Sequence, residues 1–198
     1  MGKWKWSLGA LIVVLALGLV WGFYGRQPQG NAPATQKTPG VSAGGSSQHP
    51  YTIASPGAEK YAGDTAWKNY VKKAEGNPKD AAAQVDAAVA SFVNKKYTDA
   101  VTYYKKAIAL DPKNAQYPAY LGNVYFWGLN NPALAESYYR KAVQLDPTYG
   151  DGWFLLGRFY VAEGKKSEAK SVLSEGLKKV PKSSPQYARL EAYAKTIK

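Results

Sequence analysis

The chain has 198 residues, a formal net charge of +12 and 45% hydrophobic residues, so it is long enough for a folded domain and strongly basic. It contains no cysteine, which excludes disulfides, thiol catalysis and thiolate metal sites. Neither a histidine-rich metal motif nor a glycine-rich phosphate loop is present, and we expect no enzyme activity and no cofactor.

Residues 1–26 are predicted to anchor the chain in a membrane. Residues 7–24 carry no charge, and as a helix they would span about 27 Å, enough to cross the hydrocarbon core of a bilayer. Aromatic residues flank both ends of this stretch, as they do at membrane–water interfaces. We predict a single-pass protein of a prokaryotic cytoplasmic membrane. Lys3 and Lys5 precede the span and only Arg26 closely follows it, so the positive-inside rule sets its orientation. Its N-terminus would be inside, and the remaining chain would lie in the periplasm or at the cell surface.

Two other interpretations of this segment stay open. A cleavable signal peptide has a shorter apolar region with a small-x-small site close behind it. The nearest such pattern, at 32–34, is distant and contains proline. Gly18 and Gly22 form a G-x-x-x-G pattern that would let two helices pack closely, although glycine is also common in membrane helices that do not pair.

Residues 27–57 are predicted to be a flexible linker. They are rich in Pro, Gly, Ser, Ala, Gln and Thr, and Lys37 is their only charged residue, so they cannot bury enough apolar surface to fold. A linker of this length has a root-mean-square reach of about 30 Å. The only histidine, His49, lies here, where no imidazole is held in place for catalysis.

Residues 58–198 follow a repeated pattern. Pro78, Pro112, Pro147 and Pro181 are spaced 34, 35 and 34 residues apart. A period near 34 is typical of stacked pairs of short helices, in which each unit completes its core against its neighbours. We predict three helix pairs, at 81–112, 115–147 and 150–181, with a leading cap helix within 58–78 and a C-terminal cap helix within 183–198.

The third unit shows the pattern most clearly. One face of its first helix carries an aromatic residue, a Leu-Gly pair and a tyrosine, Gly164 ends that helix, and small and large apolar residues alternate in the second. These residues are Trp153, Leu156, Gly157 and Tyr160, followed by Ala169, Leu173 and Gly176. The pattern resembles the tetratricopeptide repeat (TPR), W-x2-L-G-x2-Y…A-x3-F…P.

The first two units depart from the pattern in places. The first has Gln84 where the tryptophan would stand, and the second has Pro118, which is tolerated in the first turn of a helix. The second also contains one additional residue, which we place in the turn at 128–132. The resemblance covers about 80–178 and implies an all-α, right-handed TPR solenoid of about three repeats with capping helices.

In such a solenoid the first helix of each pair lines the concave face, where TPR proteins bind proteins or peptides. The residues expected to face this groove are Val85, Val89, Phe92, Asn123, Phe126, Trp127, Phe154, Arg158 and Val161. Aromatic and arginine side chains are frequent in binding hot spots, and an apolar groove suits an amphipathic helix or an extended peptide. We expect Arg158 to bind a carboxylate and Asn123 a backbone amide.

Some chaperone cofactors bind acidic C-termini through several polar groove residues, but Val85 and Val89 stand where the first repeat would need them, so that clamp is not reproduced. Alternatively the terminal helix or the linker fills the groove, because large apolar patches rarely stay exposed.

Lysine doublets recur along the domain, for example at 72–73, 95–96, 105–106, 165–166 and 178–179. Acidic residues are interspersed, which is typical of a solvated outer face. The alternative is attraction to anionic lipids, cell-wall polymers or acidic proteins. No nucleic-acid motif accompanies the charge, so we expect no nucleic-acid partner.

Together these patterns predict a membrane-anchored TPR adaptor that holds a protein or peptide partner near the membrane. Resemblance to anchored TPR proteins implies roles in secretion, envelope assembly or cytochrome maturation. The alternative is a structural protein that self-associates into a homo-oligomer or filament through its repeats or its anchor.

Overall fold

The structure is a computed structural model that describes residues 57–198. The predicted anchor at 1–26 and all of the predicted linker except its last residue lie outside the described residues. Within 57–198, none of the helices combines the length and the apolar character needed to cross a bilayer.

Residues 57–198 form eight α-helices and contain no β-strand, which confirms the predicted all-α class for this part of the chain. The helices are α1 (Asp64–Gly76), α2 (Ala81–Val93), α3 (Tyr97–Leu110), α4 (Gln116–Asn123), α5 (Pro132–Leu145), α6 (Gly150–Ala162), α7 (Lys166–Lys179) and α8 (Pro185–Thr196). A short 3-10 helix (Glu59–Tyr61) precedes α1, and a π-helical segment (Val124–Gly128) continues α4.

The helices pack as successive pairs. Helices α2 and α3, α4 and α5, and α6 and α7 contact each other within a pair, and the second helix of each pair contacts the first helix of the next. Helix α1 packs on α2 as the second helix of an incomplete leading pair. Each unit therefore completes its core against its neighbour, as a stacked repeat requires.

Helix α8 takes the place of the first helix of a fourth pair. It contacts both α6 and α7, and its Tyr187 and Leu190 follow Trp153 and Leu156 at an interval of 34 residues. At the position of Gly157, however, α8 carries Glu191, which forms an ion pair with Lys195 at 3.0 Å. A charged side chain thus stands where Gly122 and Gly157 lie against the second helix of their pairs.

Local sequence signals place the helix ends. The side chain of Asp80 accepts hydrogen bonds from the N–H groups of Ala82 and Ala83, which caps the start of α2. Asn131 and Ser184 cap α5 and α8 in the same way, each followed by a proline in the first helical turn. Helices α3 and α5 end immediately before an Asp-Pro pair, because the residue before proline disfavours helix.

The additional residue of the second repeat lies in the helix, not in the turn at 128–132 as predicted. Lys95 follows Ala88 by seven positions, whereas Asn130 follows Gly122 by eight, and both Lys95 and Asn130 have the positive φ of the turn. The N–H of Leu129 donates to the oxygen of Val124 at 3.0 Å, the five-residue step of a π-helix. The turn keeps the geometry of the other repeats, and the helix absorbs the insertion.

Candidate partner-binding groove

The nine predicted groove residues lie on the first helices of the three pairs. Val85, Val89 and Phe92 are on α2, Asn123 ends α4, Phe126 and Trp127 are in the π-helical segment, and Phe154, Arg158 and Val161 are on α6. We call this set the groove face. Val89 and Asn123 are buried, Trp127 is exposed, and the other six are partly buried.

At the α2 end, the groove face is largely closed by apolar packing. The ring of Phe92 packs against Tyr97 of α3 with centroids 5.7 Å apart. A small cavity lies between α2, α3 and α4, lined by Val89, Phe92, Tyr104, Tyr120, Asn123 and Val124. Val85 and Val89 leave this end without a charged side chain for a ligand.

Asn123 already has a partner inside the protein. The hydroxyl of Tyr139 on α5 donates to the Asn123 amide oxygen at 2.7 Å, and burial raises the pKa of Tyr139 above its ordinary value. Tyr139 therefore stays protonated and keeps donating. The amide nitrogen of Asn123 remains as the donor for a bound peptide, which narrows its predicted role to contact with a carbonyl.

An aromatic cluster joins the second and third pairs. Phe126 meets Phe159 of α6 edge-on with ring centroids 5.2 Å apart, and it meets Trp127 in the same way at 4.6 Å. Trp127 itself is 53% exposed, the most exposed of the large apolar residues within 57–198. Phe126 thus supports the packing of the solenoid, whereas Trp127 is available to a partner.

The π-helical segment positions these two rings. Gly128 ends the segment, and a β-carbon there would lie 2.6 Å from the ring of Tyr97, so only glycine allows this close approach to α3. This local geometry was not visible in the sequence.

Arg158 has no carboxylate partner within the part of the chain that the structure describes. The other two arginines there are paired, Arg140 with Glu136 and Arg189 with Asp151. The Arg158 guanidinium carbon lies 5.6 Å from the ring centroid of Phe154. An unpaired guanidinium beside an aromatic ring is a suitable site for an anionic group of a partner.

The charge of Arg158 reaches two neighbouring tyrosines. Burial raises the pKa of both Tyr139 and Tyr193, and the positive charge of Arg158 opposes each rise. Arg158 therefore lies near Tyr139 of α5 as well as Tyr193 of α8.

The C-terminal helix covers one end of the groove face. Tyr193 packs edge-on against Phe154 with centroids 5.0 Å apart, and the Arg189 guanidinium carbon lies 4.7 Å from the same ring. The terminal helix thus covers the Phe154 end of the groove face, in line with the alternative that this helix fills the groove. Trp127 stays uncovered. We did not predict Tyr193 or Arg189 as neighbours of the groove, although the 34-residue interval would have placed α8 beside α6.

The groove face offers groups that are suited to binding a partner. Residues 57–198 contain no cluster of three or more His, Asp or Glu side chains arranged to hold a metal ion. The groups that can meet a partner are the Trp127 ring, the Arg158 guanidinium, the Asn123 amide and flanking apolar side chains.

Comparisons with known proteins agree with this architecture. A family model described as tetratricopeptide repeat matches residues 126–193, and one described as TPR repeat matches residues 92–126. Comparison with curated proteins gives no significant match.

Two solved structures share the fold. One is TTC0263, a thermophilic TPR protein in Thermus thermophilus, with 20% identity and a TM-score of 0.55 over 66% of this chain and 72% of that chain. The other is MamA, with 19% identity and a TM-score of 0.51 over 67% of this chain and 84% of that chain.

Proposed function

Since this chain belongs to the tetratricopeptide repeat family, we propose that it is a membrane-anchored scaffold that binds a protein or peptide on the groove face. Proteins of this fold are in general interaction modules without catalytic activity. One observation carries the proposal. The groove face presents both an exposed tryptophan, Trp127, and an arginine without a carboxylate partner, Arg158. Tryptophan and arginine are among the residues that are enriched at binding hot spots.

The partner we propose is a peptide segment with apolar side chains and at least one carboxylate. Trp127 and Val161 would contact the apolar side chains, and Arg158 would bind the carboxylate through two N–H groups. The amide nitrogen of Asn123 would donate to a backbone carbonyl of the same segment.

The anchor at residues 1–26 would keep the bound partner close to a bilayer, and the linker at 27–57 would set how far the domain reaches. This part of the proposal depends on the uncharged stretch at 7–24 and its flanking aromatic residues. Extraction of membranes with alkaline carbonate checks it. An anchored chain stays in the pellet, whereas a chain released to the supernatant would contradict the anchor.

Photo-crosslinking tests the groove. A photoreactive residue in place of Trp127 in the full chain is expected to give adducts in membranes, and the same residue in place of Gln144 on the exposed side of α5 serves as control. Arg158→Ala should abolish the Trp127-site adducts. The matched change Arg140→Ala, which removes an arginine on another helix, should leave them intact.

The pattern of adducts decides between the alternatives. Identical adducts from positions 127 and 144, or adducts that survive Arg158→Ala, would refute binding on the groove face. An adduct with twice the mass of the chain would instead indicate self-association through this face.

A further inference from the structure

The positive charge of the domain is concentrated on the second helices of the pairs. Residues 58–198 carry 22 Lys and Arg against 14 Asp and Glu. Lys72 on α1, Lys106 on α3 and Lys141 on α5 occupy the same position in successive helices, each two residues after a tyrosine of the packing surface. We call these three residues the lysine ladder.

Helix geometry directs the ladder outward. A step of two residues turns a helix by about 200°, so a residue two positions after a core residue lies on the opposite side. Tyr104 and Tyr139 are buried, and Lys106 and Lys141 are exposed. Tyr70 is half-buried and Lys72 is exposed in the same relation. The ladder therefore lies on the outer layer of helices, whereas the groove face lies on the inner ones.

Within residues 57–198, no carboxylate pairs with any ladder lysine. Neighbouring cations are neutralised, Lys73 by Asp86 at 3.6 Å and Arg140 by Glu136 at 2.9 Å. Lys106 instead lies over the ring of Tyr103, with its nitrogen 4.9 Å from the centroid. Lys105 adds a further exposed cation beside the ladder, and Glu75 and Asp99 are the unpaired acids on the same helices.

The ladder is confined to three helices. In α7 the corresponding position, two residues after Leu173, holds Glu175. Because the charge at this position is negative in α7, the aligned lysines form a strip on α1, α3 and α5, and the exposed lysines of α7 stand at other positions.

We propose that the lysine ladder docks the domain on the anionic headgroups of a lipid bilayer. This inference rests on the proposed membrane anchor, because a linker with a reach of about 30 Å would hold the domain within range of the bilayer surface. Lysine ammonium groups on long stems suit diffuse attraction to many headgroups, and they lack the fork geometry that selects a shaped ligand. Because the outer helices would face the bilayer, the groove face would point away from it and stay accessible to a partner.

Energy transfer to the bilayer tests the docking in the full chain. The chain has no cysteine, so Thr102→Cys, one turn from Lys106 on the exposed side of α3, gives a single labelling site. Ala162→Cys at the exposed end of α6 gives the control site. Labelled protein is reconstituted in phosphatidylcholine vesicles with and without phosphatidylglycerol, and headgroup-labelled lipid serves as acceptor.

We expect energy transfer from Thr102→Cys to be stronger in vesicles with phosphatidylglycerol than in vesicles without it, and high salt should remove this difference. Transfer from Ala162→Cys should differ little between the two kinds of vesicle. The triple change Lys72→Gln, Lys106→Gln, Lys141→Gln should reduce transfer to the value in pure phosphatidylcholine. A triple change of the same charge on α7, with Lys166, Lys170 and Lys178 replaced by Gln, should leave it unchanged.

Two results of the comparison between vesicles and variants would overturn the inference. One is transfer from Thr102→Cys that does not depend on phosphatidylglycerol, and the other is an equal loss in the two triple variants. Binding of polyglutamate through the ladder without increased transfer would also overturn it and indicate an acidic protein partner. Flotation of the full chain with pure phosphatidylcholine vesicles tests the anchor separately. A failure of the anchor can therefore be distinguished from a failure of the docking.

Discussion

Gly157 of α6 lies directly against Leu173 of α7. A β-carbon on Gly157 would be 2.5 Å from one methyl carbon of Leu173, well inside van der Waals contact. Gly122 meets Tyr139 in the same way in the preceding pair, at 2.7 Å. In these two pairs, glycine on the first helix therefore makes room for a large side chain of the second helix.

This contact predicts that Gly157→Ala is destabilising. The added methyl group must displace Leu173 in a closely packed core, and we expect a loss of about 1–3 kcal/mol in the free energy of unfolding. Gly76→Ala is the control, because no atom lies within 4 Å of the added carbon. The control should be neutral or slightly stabilising in urea denaturation followed by circular dichroism. Equal midpoint shifts for the two variants would contradict the packing argument.

Glu136 links α5 to α6 and makes stability depend on pH. The Tyr160 hydroxyl and the Arg140 guanidinium both donate to its carboxylate, at 2.5 and 2.9 Å, and these bonds hold the pKa of Glu136 below its usual range. A carboxyl group whose folded-state pKa is lowered stabilises the protein above its unfolded-state pKa. That contribution disappears as the pH falls through the folded-state pKa.

We therefore expect Glu136→Gln to lower the free energy of unfolding by about 1 kcal/mol at neutral pH. The difference from the unchanged protein should vanish under acid conditions, below the lowered pKa. Glu175→Gln, which removes the same charge at an exposed position of α7, serves as the matched control. Urea titrations at several pH values measure both, and a constant difference for Glu136→Gln would disprove the linkage.

Trp127 and Trp153 should respond differently to truncation. Trp153 is 4% exposed and its indole N–H donates to the Pro147 oxygen at 2.8 Å, so Trp153→Ala should cost about 3–5 kcal/mol. Trp127 is exposed, and Trp127→Ala should change stability by about 0.5 kcal/mol or less. Thermal unfolding of the two variants measures this contrast. A large loss for Trp127→Ala would mean that its ring stabilises the fold and is not free for a partner.

Asp151 and Arg189 hold the C-terminal helix on the third pair. Asp151 is buried on α6 and forms an ion pair with Arg189 of α8. Burial lowers the pKa of Arg189, but a guanidinium stays charged, so removing Asp151 would leave a partly buried cation unpaired. A double-mutant cycle of Asp151→Ala and Arg189→Ala should give a coupling of about 1–3 kcal/mol.

Hydrogen exchange should locate that effect. Amides of α8 should exchange faster in Asp151→Ala, while those of α3 stay protected. The exposed pair Glu191–Lys195 on the same helix is the matched control, with an expected coupling of about 0.5 kcal/mol. Equal couplings for the two pairs would show that burial adds nothing to the Asp151–Arg189 contact.

The helix pairs were predictable because their signals are local. Gly164 ends α6 with a positive φ, and proline after Asp146 ends α5. Such signals depend on residues that are close in the chain, so they can be recognised without the tertiary structure. The resemblance to TPR proteins followed from the same residues and is confirmed.

The location of the additional residue in the second repeat was not predictable. The count of residues showed that one was extra, but a turn and a π-helical step accommodate it equally well in the sequence. Contact between Gly128 and Tyr97 holds the end of the helix, and this contact exists only after α3 and α4 pack.

For the groove, the sequence by itself determined which residues share a face, since that depends on the 3.6-residue period alone. Only the tertiary structure decided what each of them is free to do. In it, Tyr139 donates a hydrogen bond to Asn123, and Tyr193 covers Phe154. Within the described residues, Arg158 has no carboxylate partner and the Trp127 ring is exposed. The physical reason is that periodicity orders side chains along one helix, whereas exposure and pairing depend on neighbours more than twelve residues away in the chain.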